Sequence, residues 1–178
     1  MEKITSKVRP SMNIFFERLR LALQNLPNNP KPECGGFCLA FYKEDTGVTT
    51  CESLGFIPDD KKFKYNYYAQ KKCAQTLFLK KNRSKEFEHK NLEQFPGGIK
   101  IGKDCAGVSG HDSMVDEAIA AVFIFAYNFQ QVYGESALKS EHFSKYLLQK
   151  ALVLKSAMPD NQWPGIIVEL IAAQDLVS

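Results

Sequence analysis

Long hydrophobic runs are missing from this sequence. No stretch approaches the roughly 18 consecutive apolar residues that a membrane-spanning helix needs, so a spanning helix is excluded. The N-terminal apolar stretch is broken by Glu17, Arg18 and Arg20. It therefore lacks the continuous apolar segment of an export signal, and a cytoplasmic, reduced protein is expected. Cysteine is scarce and odd in number, five in 178 residues. Cys34 and Cys38 are suitably spaced for two thiolates, but no second Cys/His pair completes a four-ligand zinc site, so no metal is expected. Cys51, Cys73 and Cys105 fall inside predicted elements and read as core. Equally absent are a G-x-S-x-G elbow, a P-loop, a dinucleotide-binding glycine fingerprint and a nucleophile–base–orienter set. Nor is there a strong excess of one charge. The net charge is +3, which does not point to nucleic acid.

What charge there is lies unevenly. Residues 61–90 hold ten of the 23 Lys and Arg residues but only Glu86 and Glu88, a local balance of +8. With Tyr65, Tyr67 and Tyr68 nearby, this basic stretch reads as a solvated face, or as a surface that meets an anionic ligand. The overall composition, 44% hydrophobic and 24% charged, is that of one ordinary globular domain.

The rest is organised around Phe95 to Phe129. Pro96-Gly97-Gly98 opens it, and two short apolar runs joined at Gly102-Lys103-Asp104 predict an antiparallel hairpin over Ile99–Val108. The turn Ser109-Gly110-His111-Asp112-Ser113 follows. Asp112 or Ser113 can cap a helix, and Asp116 and Glu117 place negative charge in its first turn. From Met114 to Phe129 the apolar residues cover most of the circumference, which predicts a helix almost wholly buried.

Before this unit, Met12, Phe15, Phe16, Leu19, Ala22, Leu23 and Leu26 mark an amphipathic helix from Pro10-Ser11 to Pro27. Phe37–Tyr42 is apolar on both alternating faces, the pattern of a strand covered on both sides, and Val48–Leu54 returns as its partner. Gly55–Lys64 reads as a loop and Tyr65–Lys80 as a helix, with Lys71, Lys72 and Gln75 at the edge of its apolar face. Lys81–Gln94 is highly charged. Ala137–Ala157 is a further amphipathic stretch, and Pro164 tips Ile166–Ala173 towards helix.

Two segments carry a resemblance. Ala69-Gln70-Lys71-Lys72-Cys73-Ala74-Gln75-Thr76 is similar to an A-x-x-K-A-x-T-A helix. Pro96-Gly97-Gly98-Ile99, then Ala106-Gly107-Val108-Ser109-Gly110 and Asp116-Glu117, is similar to a G-G-x-P…G-V-S-G…D-E pattern, and Asp45-Thr46-Gly47 sits at a D-x-x-G turn. Together they resemble the GlcG/HbpS-like family (haem-degrading domain, PduO C-terminal-like) over roughly residues 10–130. The resemblance implies an α+β fold with profilin-like α/β/α layers around an antiparallel sheet. It gives a domain over 1–134, with 135–178 as a helical C-terminal extension packed on it. It also implies homo-oligomers and a tetrapyrrole such as haem, or another small anionic ligand. Haem degradation or turnover of a small anionic metabolite would be the enzymatic form of that reading. The other class of reading is a non-catalytic oligomeric module that docks a partner through its extension.

The site expected from these residues lies where the lysine helix approaches the glycine turn: Lys72 for charge, Thr76 for a hydroxyl, Gly97 and Gly98, and Ser109, Gly110 and His111. Backbone N–H groups of that turn, at a helix N-terminus, are suited to a carboxylate or phosphate. His111, exposed at such a cleft, would bind iron or move protons near neutral pH.

Overall fold

A computed structural model describes residues 12–31, 35–43, 48–78, 82–83 and 96–176. The turn expected at Asp45–Gly47, Cys34, His89 and nearly all of Lys81–Gln94 lie outside the described residues, as does the predicted helix start at Pro10-Ser11. The elements in chain order are α1 (Asn13–Gln24), β1 (Gly36–Lys43), β2 (Val48–Gly55), α2 (Asp59–Phe78), β3 (Gly98–Ile101), β4 (Asp104–Ser109), α3 (Ser113–Tyr133), α4 (Glu141–Ala157) and α5 (Trp163–Ala173). The expected α+β class is what the chain adopts. The chain divides into two compact units, 30–124 and 1–29 with 125–178.

In the first unit, four antiparallel strands run in the order β2-β1-β4-β3. The register pairs Ala40 with Cys51 on one side and with Gly107 on the other. Strand alternation then gives β1 two faces. Cys38 and Ala40 pack in a buried cluster with Cys105 and with Ala69 and Cys73 of α2. Phe41, on the opposite face, meets Phe123 of α3 edge-on with ring centroids 5.2 Å apart. Helices therefore cover both faces of the sheet, as the two-faced strand sequence predicts.

The α2 face is made of small residues for a geometric reason. A Cβ on Gly107 would collide with the backbone of Ala69 and Cys73, and one on Gly98 would come within 2.5 Å of the Lys72 carbonyl. Mid-strand glycines here let a helix backbone lie directly on the sheet. The predicted hairpin forms over β3 and β4, with Gly102 at φ +61° in its turn. The buried helix α3 starts at Ser113, one residue before the apolar run predicted from Met114. Asp112 caps it by accepting from the Met114 N–H at 3.0 Å, and Val115 to Tyr127 are buried without a break.

One boundary differs. Gly55–Lys64, read as a loop, becomes helix from Asp59 onward. The Pro58 carbonyl accepts from the N–H groups of Lys61 and Lys62, and Asp59 and Asp60 put two carboxylates in the first turn. Few apolar residues mark this turn, so periodicity alone passes over it.

The second unit is helical. Arg18 of α1, 8% exposed, ties it together: its guanidinium donates to the carbonyls of Leu138 and Ile171, to Ser144 Oγ and to Asp175, all at 2.8–3.0 Å. Phe15 and Phe129 pack on Phe143. The expected linear partition, 1–134 and 135–178, is therefore not how the contacts divide. α1 belongs with the C-terminal helices because its buried arginine finds its acceptors there. The predicted 137–157 helix is split: a 3-10 segment, Glu135–Lys139, ends at Ser140, whose Oγ then caps α4 through the Phe143 N–H. The apolar C-terminal segment is helix, α5, with Pro164 in its first turn. Among the described residues no helix is long and apolar enough to cross a membrane.

Candidate functional site

Starting α2 at Asp59 changes what its sequence does. Lys61, Lys64, Tyr65, Tyr68 and Lys72 stand at i, i+3, i+4, i+7 and i+11, one stripe of the helix. That stripe forms one wall of a cavity of about 360 Å³. Lys31 and the turn Ser109-Gly110-His111, with Ser113 and Asp116 from the start of α3, supply the rest of the lining.

Lys72 is at the base of the α2 wall and is 5% exposed. Its Nζ donates to the Val108 carbonyl at 2.8 Å and to Asp116 Oδ2 at 3.0 Å. The expectation that it sits at the edge of the helix face is corrected here. Its charge is buried and already paired, and one of its three ammonium protons is left over. Gly97 closes the cage: a Cβ there would stand 2.6 Å from Lys72 Nζ, and its φ of +124° is left-handed. The other oxygen of Asp116 accepts from the His111 backbone N–H at 2.9 Å. Next along α3, Glu117 receives the Arg83 guanidinium at 2.9 and 2.6 Å, a fork-to-fork pair.

His111 is 5% exposed, rather than open at a cleft, and still lines the cavity. Its ring lies beside Phe37, and Lys31 Nζ donates to its carbonyl at 3.0 Å. Nδ1 is buried and has no hydrogen-bond partner among the described residues. Burial pushes the imidazole pKa down. Asp116 pulls it back up and Lys31 opposes that. His111 is therefore neutral at neutral pH, and its Nδ1 is the kind of buried group that needs a partner.

Of the residues expected to form the site, the cavity brings together Lys72, Ser109, Gly110 and His111. Gly97 and Gly98 lie against Lys72 as packing residues and are not in the lining. Thr76 is fully buried, and its hydroxyl donates to the Cys73 carbonyl at 2.8 Å, so it offers nothing to a ligand. Two N–H groups at and just after the turn are engaged, His111 by Asp116 and Met114 by Asp112. Sequence reasoning missed Lys31, Lys61, Lys64, Tyr65 and Tyr68 as lining. Pro58-Asp59-Asp60 was the signal that would have extended the helix and aligned four of them.

The electrostatics follow from the lining. Lys72 and Asp116 are paired, and Lys61 and Lys64 add exposed positive charge beside a neutral imidazole. Among the described residues no three His, Cys, Asp or Glu side chains are grouped to hold a metal ion. A tetrapyrrole does not suit this lining. Its macrocycle needs an apolar slot, whereas among the described lining residues the carbocyclic aromatic surface comes from Tyr65 and Tyr68, and the volume of about 360 Å³ is at the small end of ligand pockets, which span about 300–1,000 Å³. No family model matches the sequence, and comparison with curated proteins and with solved structures finds no match.

Proposed function

We propose that this protein binds a small anion, a phosphate or carboxylate, in the lysine-lined cavity. One observation carries the reading: among the described lining residues, Lys61 and Lys64 add exposed positive charge to the paired Lys72 and Asp116, beside the imidazole of His111. Lys61 and Lys64 are exposed on α2 and attract the anion. His111 then donates a ring N–H to an anion oxygen inside. The resemblance to the GlcG/HbpS-like family points the same way as far as an anionic ligand is concerned. Its tetrapyrrole is the competing ligand.

Titration calorimetry of the full chain at low salt, with inorganic phosphate and with acetate, tests the reading. Saturable binding is expected for one or both. Lys61→Ala and Lys64→Ala should each weaken it by roughly two- to fivefold, because contacts to exposed charges are worth about 0.2–1 kcal/mol. Raising the salt should mimic that loss. Absence of saturable uptake of either anion, alongside saturable haemin binding with a shifted Soret band, would overturn the proposal in favour of the tetrapyrrole.

A further inference from the structure

A second, smaller cavity of about 180 Å³ shares three residues with the first: Lys31, Lys61 and Tyr65. Beyond them its lining changes character. Gly35, Gly36, Phe56 and Pro58 carry no charge and no side-chain hydrogen-bonding group. The two glycines give it a wall of bare backbone. Gly36 is obligatory, since a Cβ there would run into the Leu54 carbonyl and come within 2.8 Å of Gly55 C and Phe56 O. Phe56 is held by its backbone, whose N–H donates to the Gly35 carbonyl at 3.1 Å. Its ring is nevertheless 76% exposed. A pinned backbone with an open aromatic ring at a cavity mouth is arranged to cover an apolar group. The volume is close to that of a known apolar protein cavity of about 150 Å³ that takes up benzene.

From this adjoining pair we infer that the ligand is an amphipathic organic anion, with an aromatic ring or short hydrocarbon group next to its phosphate or carboxylate. The anionic head lies among Lys61, Lys64 and His111, and the apolar part lies against Gly35-Gly36, Pro58 and the Phe56 ring. Tyr65, common to both cavities, lies where head and ring join. This inference rests on the anion reading above and narrows it to a ligand class.

The test compares inorganic phosphate with phenyl phosphate on the full chain, wild type and Phe56→Ala. Phenyl phosphate should bind about tenfold more tightly than inorganic phosphate. Phe56→Ala, which removes an exposed ring, should erase most of that gain while leaving inorganic phosphate unchanged. If inorganic phosphate binds and phenyl phosphate gains nothing, or gains as much in Phe56→Ala, the amphipathic class is wrong and the anion site stands. If neither phosphate binds but acetate does, the same comparison of acetate with phenylacetate decides the class, and if no anion binds, both readings fall together. Lys64→Ala supplies the complementary check, weakening the two ligands by the same factor, and an effect on phenyl phosphate alone would contradict the assigned position of the head.

Discussion

Replacing Lys72 by Met tests whether this lysine is first a structural ion or first a ligand contact. The substitution keeps the stem volume and deletes the charge. It leaves Asp116, itself 2% exposed, as a buried carboxylate whose remaining hydrogen bond among the described residues is the His111 N–H, and it leaves the Val108 carbonyl without its ammonium donor. Breaking one side of a buried pair costs about 3–5 kcal/mol, because the surviving charge stays desolvated. Against a total stability of about 5–15 kcal/mol that is a large fraction. At about 2–4 °C per kcal/mol for a chain of this size, the midpoint should fall by about 6–20 °C. The assay is urea or thermal unfolding followed by far-UV circular dichroism, with Lys72→Met/Asp116→Asn as the partner variant. The double change removes both charges while keeping an acceptor for the His111 N–H, and it should recover much of the loss. Two outcomes refute the reasoning: Lys72→Met within about 1 kcal/mol of wild type, or a double variant no more stable than the single one.

Four further outcomes are expected. Burial depresses the His111 pKa below its ordinary 6.5, so the folded state resists a proton that the unfolded chain accepts. Stability should be full above pH 6.5 and decline as the pH falls below it, and His111→Gln should flatten that slope in urea titrations across pH 5–8. The thiols should be inert in the native state, since burial raises Cys51 to about 11 and Cys73 to about 12. Alkylation at neutral pH mapped by mass spectrometry should spare both until denaturant is added, and rapid labelling of Cys73 would contradict the packing. Gly107→Ala should destabilise by about 1–3 kcal/mol or more through collision with the α2 backbone, whereas Gly102→Ala, with open space but a left-handed φ, should cost only about 1 kcal/mol in the same unfolding assay. Leu148, Leu152 and Val153 of α4 are exposed apolar residues, and the self-association expected from the resemblance is checked by light scattering at micromolar concentration, which should exceed the 20.1 kDa monomer mass.

Periodicity and turn chemistry were legible wherever burial was one-sided or complete. The two-faced apolar alternation of Phe37–Tyr42 is a strand with a helix on each face, and the all-round apolar run after Asp112 is a buried helix. What stayed hidden were structures held by polar groups. Arg18 reads in the sequence as an interruption of an apolar stretch, yet it is buried, with four acceptors contributed from residues 120 to 157 positions away. Nothing local encodes that pairing, so the grouping of α1 with the C-terminal helices had no signature. The first turn of α2 has a signature of the weaker kind, a proline and two carboxylates instead of a hydrophobic period.

The candidate site divides along the same line, and the division bears on how its motifs should be read. Lys72, Gly97, Gly98, Gly107 and Asp116 lie in the segments that carry the family resemblance, and the first three of them were expected in a ligand site. In three dimensions they form one packing unit. Gly98 and Gly107 let α2 lie on the sheet, and Lys72 then reaches through the gap beside Gly97 to neutralise Asp116. Such a motif is required by the fold whatever the ligand is, because loss of any member leaves a collision or an unpaired buried charge. The groups still available for binding lie outside the motif, at Lys61 and Lys64 one and two turns from the start of α2, and at Phe56 just before it. Their constraint is different: they are exposed, and removing them costs the fold little. A ligand specificity peculiar to this protein would therefore be set by Phe56, Lys61 and Lys64, while the motif residues would report only that the scaffold is intact. Anion affinity should accordingly follow substitutions at 61 and 64 with no change in unfolding midpoint, the reverse of the pattern expected at Lys72.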